Sequence, residues 1–347
     1  MSIQHRALGA TGINVTAMGI GTQSWGKESF GYGTKYTEQD IFAAYKASLD
    51  AGVNFFDTSD SYAKGESERL LGKFIKIDGR PVIVGSKFTK SKWYDSSNYK
   101  SHKDILPAIE TTLENLGLKT LDLYQLHYPE AGGKINGYLD ALAETVKQGK
   151  VRALGVCNFS ADRLRYAHEY LDKKGVQLVS NQIGYNLLCR HPETNGLLKA
   201  CDDLDVAPIA ILPLAEGILT GKYRKGGLEY PGNVMAILKV MQMDIFKTGQ
   251  PIFWLKALFQ KPYAMEREKL EPLFSLIQKI AESHHASITQ VALNWLLKSH
   301  PKIIYIPGVK NLKQANDNLA SLGWDMTPSE FRQISSLETE LWQDYQK

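Results

Sequence analysis

The sequence predicts a closed (β/α)8, or TIM, barrel, and three observations carry that prediction. Eight short apolar runs, many of them β-branched, recur along the 347 residues. Each is followed by a stretch with helical spacing. Polar or ionisable residues stand where most of the runs end. Near-continuous apolar strands alternating with helices describe a parallel sheet whose outer face the helices cover. Eight such units over roughly 300 residues favour a closed barrel over an open doubly wound sheet.

The elements follow in order. The first run is "VTAMGIGT" (15–22), ending on Gly21 and Thr22. Gly19 and Gly21 have the spacing of a dinucleotide fingerprint, but the third position is Ser24 and an aromatic-rich loop follows, so that match is set aside. "EQDIFAAYKASLDAG" (38–52) has helical period. The second run, "VNFFDTS" (53–59), reaches Asp57 at its end, with Tyr62 five residues on. The third, "VIVGSKF" (82–88), brings Lys87. "KDILPAIETTLENLG" (103–117) is a helix that stops on Gly117. The fourth run, "LDLYQLH" (121–127), ends on His127. The fifth, "ALGVCNF" (153–159), carries Cys157 and Asn158. The sixth, "LVSNQIGYN" (178–186), carries Gln182. The seventh is "APIAILPL" (207–214), and "GILTGKY" (217–223) follows it. That loop is one residue short of a P-loop and has Tyr223 where the metal-binding hydroxyl belongs. The eighth run, "IIYIPGV" (303–309), leads through Pro307 and Gly308 to Lys310 and a helix start. Exposed N–H groups at a helix start suit a phosphate.

Composition excludes several classes. Apolar content of 43% and charged content of 22% are ordinary for a soluble globular protein. The whole of 1–347 is read as one barrel domain. Net charge is +4 without a long basic run, which does not indicate a nucleic-acid partner. Cys157, Cys189 and Cys201 form no closed disulfide set and no C-x-x-C, which fits a reducing compartment. No apolar run reaches the roughly 18–20 residues of a membrane span. The N-terminus lacks a secretory pattern. A cytoplasmic protein is expected, or an organellar one from which a transit peptide was removed. The eight histidines are scattered, and no metal site is expected.

In a barrel, chemistry sits at the C-terminal ends of the strands. Asp57, Tyr62, Lys87 and His127 converge there from separate strands. Each has an ordinary use alone: a turn cap, rim packing, a snorkelling lysine, a satisfied buried histidine. Together they form a carbonyl-reducing set. A phenol near pKa 10 is a reluctant acid. A neighbouring ammonium favours its phenolate. A carboxylate orients the ammonium, and an imidazole donates to the carbonyl oxygen.

This constellation resembles the catalytic tetrad of the aldo-keto reductases. The resemblance runs through "LGATGINVTAMGIGTQSWG", "GVNFFDTSDSYAKGESERLLGKF", "LDLYQLHY", "VRALGVCNFS", "PLAEGILTGKY" and "IPGVKNLKQANDNL". It implies a barrel enzyme that reduces an aldehyde or ketone with NADPH, using Asp57, Tyr62, Lys87 and His127. It further implies that Asn158 and Gln182 hold the nicotinamide carboxamide. Lys310 then meets the 2′-phosphate of NADP, and Gln314 and Asn318 lie near the adenosine. Leu214, Gly217, Leu219 and Lys222 lie along the pyrophosphate, with Gly21, Thr22 and Gly308 also toward the cofactor. Two departures stand out. Cys157 replaces the usual serine, and Ile211–Leu212 replace an aromatic and a small polar residue, so an aliphatic face must meet the nicotinamide. Potassium-channel β subunits are similar to this family, and a regulatory cofactor-binding subunit is the rival expectation. Substrate, direction and oligomeric partner are not readable.

One irregularity remains, Glu216 to Met265, far longer than usual for a connection. Its part 233–265 is rich in Met, Leu, Ile, Phe and Trp. Three readings suit it: an extra helix on the rim, a docking surface, or a lid over a roomy apolar pocket. As a lid it would bring Phe253, Trp254 and Phe259 to a large hydrophobic carbonyl substrate, with Trp25 and Phe30 opposite.

Overall fold

The computed structural model describes residues 3–90, 99–129, 135–224, 227–229 and 266–346. The chain opens with a short antiparallel pair, β1 (His5–Ala7) and β2 (Asn14–Thr16). Eight parallel strands follow in sequence order: β3 (Ile20–Gly21), β4 (Phe55–Asp57), β5 (Ile83–Phe88), β6 (Leu121–Leu126), β7 (Val151–Cys157), β8 (Leu178–Gly184), β9 (Ala207–Ile211) and β10 (Ile304–Tyr305). The first and last meet. Parallel bridges join Met18 to Tyr305 and Gly21 to Gly308. Gly19 N–H donates to Tyr305 O at 2.9 Å, and Gly21 N–H to Pro307 O at 3.1 Å. The sheet thus closes as a (β/α)8 barrel.

The strands bury both faces, and residue parity separates them. Phe56, Val84, Tyr124 and Leu154 face the helices in the outer core. Phe55, Leu123, Ala153, Val179, Ile209 and Ile304 form an inner core. Leu8, Ile13 and Val15, from the β1–β2 hairpin, belong to that inner core. The hairpin therefore floors the barrel. The expected first strand is corrected here. Its first half pairs with β1, and only Ile20–Gly21 runs in the barrel sheet. One apolar run serves two pairings, and periodicity alone does not show the break.

The helical layer comprises α1 (Glu38–Asp50), α2 (Glu66–Asp78), α3 (Ile105–Leu116), α4 (Ile135–Lys147), α5 (Ala161–Asp172), α6 (His191–Thr194), α7 (Leu197–Asp203), α8 (Arg267–Ser283), α9 (Ile288–Ser299), α10 (Leu312–Ala320) and α11 (Pro328–Gln346). Local chemistry sets their ends. Thr37 and Asp40 form a capping box at α1. Gly117 ends α3 at φ 66°, in the left-handed region that glycine tolerates. First and last units also meet outside the sheet, where α10 packs on α1. No described helix is long and apolar enough to cross a membrane. The stretch 233–265, with Phe253, Trp254 and Phe259, lies outside the described residues.

Candidate active site

Asp57 ends β4 and Lys87 lies in β5, with Asp57 in register with Gly85. Both side chains are buried. Burial of an ammonium is tolerable only when its protons are satisfied. Lys87 Nζ has three acceptors: Asp57 Oδ2 at 2.6 Å, Thr58 O at 2.6 Å and Tyr62 Oη at 3.2 Å. The remaining Asp57 oxygen accepts from Gln182 Nε2 and from Gln125 Nε2, the latter at 3.3 Å. Every partner donates, which suits an ionised carboxylate. Burial pushes the Asp57 carboxyl up, and the Lys87 charge opposes it. Gln125 has its room because β7 carries Gly155, where a Cβ would stand 2.8 Å from Gln125 Cγ and run into Ser180 Oγ.

Tyr62 begins a tight turn, Tyr62–Gly65, fastened by Tyr62 N–H to Ser59 O at 3.1 Å. Ala63 and Lys64 sit at φ 48° and 57°, uncommon for residues with a side chain. The turn brings the phenol back over the strand ends, 9% exposed. His127 follows β6, and its ring meets that of Tyr62 edge-on at 6.0 Å. Tyr128 stacks on the same imidazole at 4.6 Å. Burial first, and then the Lys87 charge, push the His127 pKa well below its ordinary value. The ring is a neutral imidazole at pH 7. Its Nδ1 lies 2.7 Å from Thr89 Oγ1.

These groups open on a cavity of about 1600 Å³. Single-ligand pockets usually measure about 300–1,000 Å³, so this one has room for a dinucleotide and a substrate together. Asp57, Tyr62 and His127 line it, as do Gly21, Asn158, Gln182, Leu214, Gly217, Lys222, Gly308, Lys310, Gln314 and Asn318. Ile211 and Tyr128 are also in its wall. Asn158, held at φ 61°, gives its amide N–H to His127 O at 3.3 Å. The amide nitrogen of Gln182 is committed to Asp57. Both side chains therefore offer carbonyl oxygens to a ligand, which suits the NH2 of a carboxamide. Cys157 is buried, with a long contact from Sγ to Gln125 Oε1 at 3.9 Å and a backbone hydrogen bond from Gln182 to its sulfur. Burial raises its thiol pKa, so it acts as packing beside the site.

At the phosphate side, Lys310 Nζ donates to Phe30 O at 3.2 Å. Burial and the neighbouring Lys222 lower its pKa, while Glu216 opposes them. A Cβ on Gly217 would stand 2.5 Å from Lys222 Nζ, so the glycine makes room for that lysine head. The expected free N–H groups at the α10 start are partly used. Lys310 N–H donates to Gln314 Oε1 at 2.9 Å, and Gln314 N–H to Asn311 Oδ1 at 3.0 Å. Lysine side chains, Lys310 and Lys222 with Lys35 and Lys313 also in the wall, make this end cationic more than the helix start does. The residues fit a nicotinamide dinucleotide: amide oxygens at one end, ammonium groups at the other.

Several expected contacts fall elsewhere. Thr22 is buried, its Oγ1 donating to Asp57 O at 3.0 Å behind the wall. Leu219 is fully buried in the outer core. Trp25 is buried too. Its Nε1 donates to Val309 O at 2.9 Å and its ring meets Phe74 at 5.5 Å, so it faces protein rather than substrate. Phe30 does line the cavity, but at the Lys310 end. An aromatic in a loop looks the same in sequence whether it faces a ligand or a helix. Three groups were missed: Gln125 on Asp57, Tyr128 on His127, and Glu216 among the lysines. The tyrosine directly after His127 was a readable signal. The other two depend on tertiary placement.

Strand count, closure and this convergence at one rim define a barrel oxidoreductase of a known kind. The chain belongs to the aldo/keto reductase family, whose model matches residues 17–339. It is 33% identical over 336 residues to the chloroplastic pyridoxal reductase of Arabidopsis thaliana, covering 93% of this chain and 83% of that one. It is 28% identical over 340 residues to the aldo-keto reductase yakc [NADP(+)] of Schizosaccharomyces pombe, covering 96% and 91%. Among solved structures it resembles the thermostable aldo-keto reductase Tm1743 in complex with the inhibitor epalrestat. The TM-score is 0.70 at 26% identity, over 96% of this chain and all of that one.

Proposed function

We propose that this protein reduces an aldehyde to an alcohol with NADPH, and that Tyr62 delivers the proton. The observation that carries the reading is the Lys87 ammonium, buried between Asp57 at 2.6 Å and the Tyr62 phenol at 3.2 Å. When bound, NADPH supplies the hydride. Lys87 stabilises the phenolate that remains once Tyr62 has given its proton to the alkoxide oxygen. Asp57 holds Lys87 charged and in place, and Gln125 and Gln182 hold Asp57. His127, a neutral imidazole, donates a hydrogen bond to the carbonyl oxygen where charge develops. Ile211 gives the nicotinamide an aliphatic wall. Lys310 and Lys222 receive the phosphates, and the yakc name supports NADP as the form used.

The stacked His127–Tyr128 pair beside Tyr62 suits a flat aromatic aldehyde. The pyridoxal reductase among the relatives supports that class. NADPH oxidation is measured with pyridoxal, benzaldehyde and a straight-chain aldehyde. The reading expects turnover, with the aromatic aldehydes favoured in kcat/KM. Equal kcat/KM across the panel would remove the aromatic preference, and no turnover with any of them would remove the reductase reading.

A further inference from the structure

Beneath His127 lies a hydroxyl cluster that the proposed reduction does not use. Thr89 Oγ1 stands 2.7 Å from His127 Nδ1 and 3.1 Å from Ser59 Oγ. It also lies 3.2 Å from Ser61 Oγ. Ser59 Oγ is 3.0 Å from Ser61 Oγ and donates to Asp60 Oδ1 at 3.1 Å. The other oxygen of Asp60 accepts Thr89 N–H at 2.9 Å. Ser59, Ser61 and Thr89 are buried, and Asp60 is part-exposed. A continuous path thus runs from the carboxyl of the part-exposed residue Asp60, through Ser59 and Thr89, to one ring nitrogen of His127, and Ser59 Oγ itself lies 3.5 Å from that nitrogen.

The proton count on that path is informative. A neutral imidazole has one N–H and one bare nitrogen. A serine or threonine hydroxyl has one proton to give. With Asp60 protonated, its O–H donates to Ser59, Ser59 to Thr89, and Thr89 to a bare Nδ1. The ring proton is then on Nε2, and Nε2–H is what His127 needs to donate to a carbonyl oxygen. With Asp60 ionised, Ser59 turns its proton to the carboxylate and accepts from Thr89. Thr89 then accepts Nδ1–H, and Nε2 is bare. The two states differ by one proton, exchanged with solvent at Asp60, and by the sense of the hydroxyls between.

The geometry points to Asp60 as a positioning residue that sets the tautomer of His127 through Ser59 and Thr89. The carboxyl is tuned to switch near neutrality. Burial pushes its pKa up to about 7, opposed by hydrogen bonds from Thr89 and helped by the Glu68 charge. Titratable groups that sense Asp60 include Glu68 on α2, Tyr124 on β6 and Tyr99 ahead of α3, and Lys87 acts on the His127 ring at the other end of the path. The effect on turnover rests on the proposed reduction; the tautomer does not.

The test reads the ring nitrogens directly. 15N-histidine NMR of the full chain without substrate, with His127→Asn to assign the signal, is recorded from about pH 5.5 to 8.5, across the histidine window. In the wild type His127 should be the Nε2–H form at the acid end and shift toward Nδ1–H as pH rises. Asp60→Asn places its carbonyl on Thr89 N–H and its NH2 on Ser59, mimicking the protonated acid. It should hold Nε2–H throughout and remove the alkaline fall in kcat/KM, up to about tenfold per pH unit, near neutrality. Thr89→Val should abolish the pH dependence of the tautomer, and Thr89→Ser should restore it. A tautomer that stays constant in the wild type, or still changes with pH in Thr89→Val, overturns the assignment even if the enzyme reduces aldehydes.

Discussion

At the scale of single residues, the site is an exercise in satisfying buried charge. Lys87 has no solvent and needs all three of its acceptors. Removing it leaves Asp57 charged and buried, which typically costs about 3–5 kcal/mol. Lys87→Met should lose stability on that scale by urea unfolding, and Asp57→Asn combined with it should recover part of the loss. If Lys87→Met unfolds at the wild-type midpoint, the pair is not buried as described. His127 makes a second residue-scale prediction. Its folded pKa lies well below 6.5, so the unfolded chain takes up the proton first. Its contribution to stability is complete above the unfolded pKa and is lost as pH falls below it, by up to about 1.4 kcal/mol per pH unit. His127→Asn should flatten the stability profile between about pH 7 and pH 5 relative to wild type. An unchanged slope would contradict the neutral buried ring. Asp57, Lys87 and His127 were legible as residues because each interrupts or ends an apolar strand. Gln125 was not, since an amide inside a strand reads as an ordinary polar position until the barrel closes around it.

At the scale of elements, strand ends and the loops after them divide the work. The ends of β4, β5 and β6 supply the proposed reacting edge, and the loops after β9 and β10 supply the cationic end. Helix periods, capping and the Gly117 stop were readable in sequence because they depend on neighbours in the chain. The β1–β2 hairpin was not, because Val15 and Ile20 belong to one apolar run and only their distant partners separate them. The inward turn of Trp25 was hidden for the same reason. Lys310, in the β10–α10 loop, carries the element-scale prediction. A charge-assisted contact to a 2′-phosphate contributes about 1.5–3 kcal/mol, so Lys310→Met should cut NADPH affinity by roughly ten- to a hundredfold while leaving NADH nearly unchanged. Titration of both cofactors by fluorescence decides it. Equal wild-type affinity for the two would remove the claim.

At the scale of the molecule, the barrel separates a floor that stabilises from a rim that reacts. Leu8 in the floor hairpin is fully buried against the inner core. Leu8→Ala should destabilise by about 2–5 kcal/mol, the range for emptying a buried leucine, with kcat unchanged at temperatures where the variant is folded. A drop in kcat without loss of stability would place the floor in the chemistry. The closed sheet was legible from eight strand–helix units, and its joining edge, Met18 and Gly21 against Tyr305 and Gly308, was not. The central claim is that the rim reduces carbonyls with the Tyr62 proton, and steady-state NADPH oxidation with an aromatic aldehyde, wild type against Tyr62→Phe, tests it most directly. The account predicts multiple turnovers in the wild type and a loss of at least about a hundredfold in kcat in Tyr62→Phe, with NADPH binding retained. Wild-type kcat in Tyr62→Phe would contradict the proton-donor role. NADPH binding without turnover in the wild type would contradict the reductase itself and favour a regulatory, cofactor-binding role.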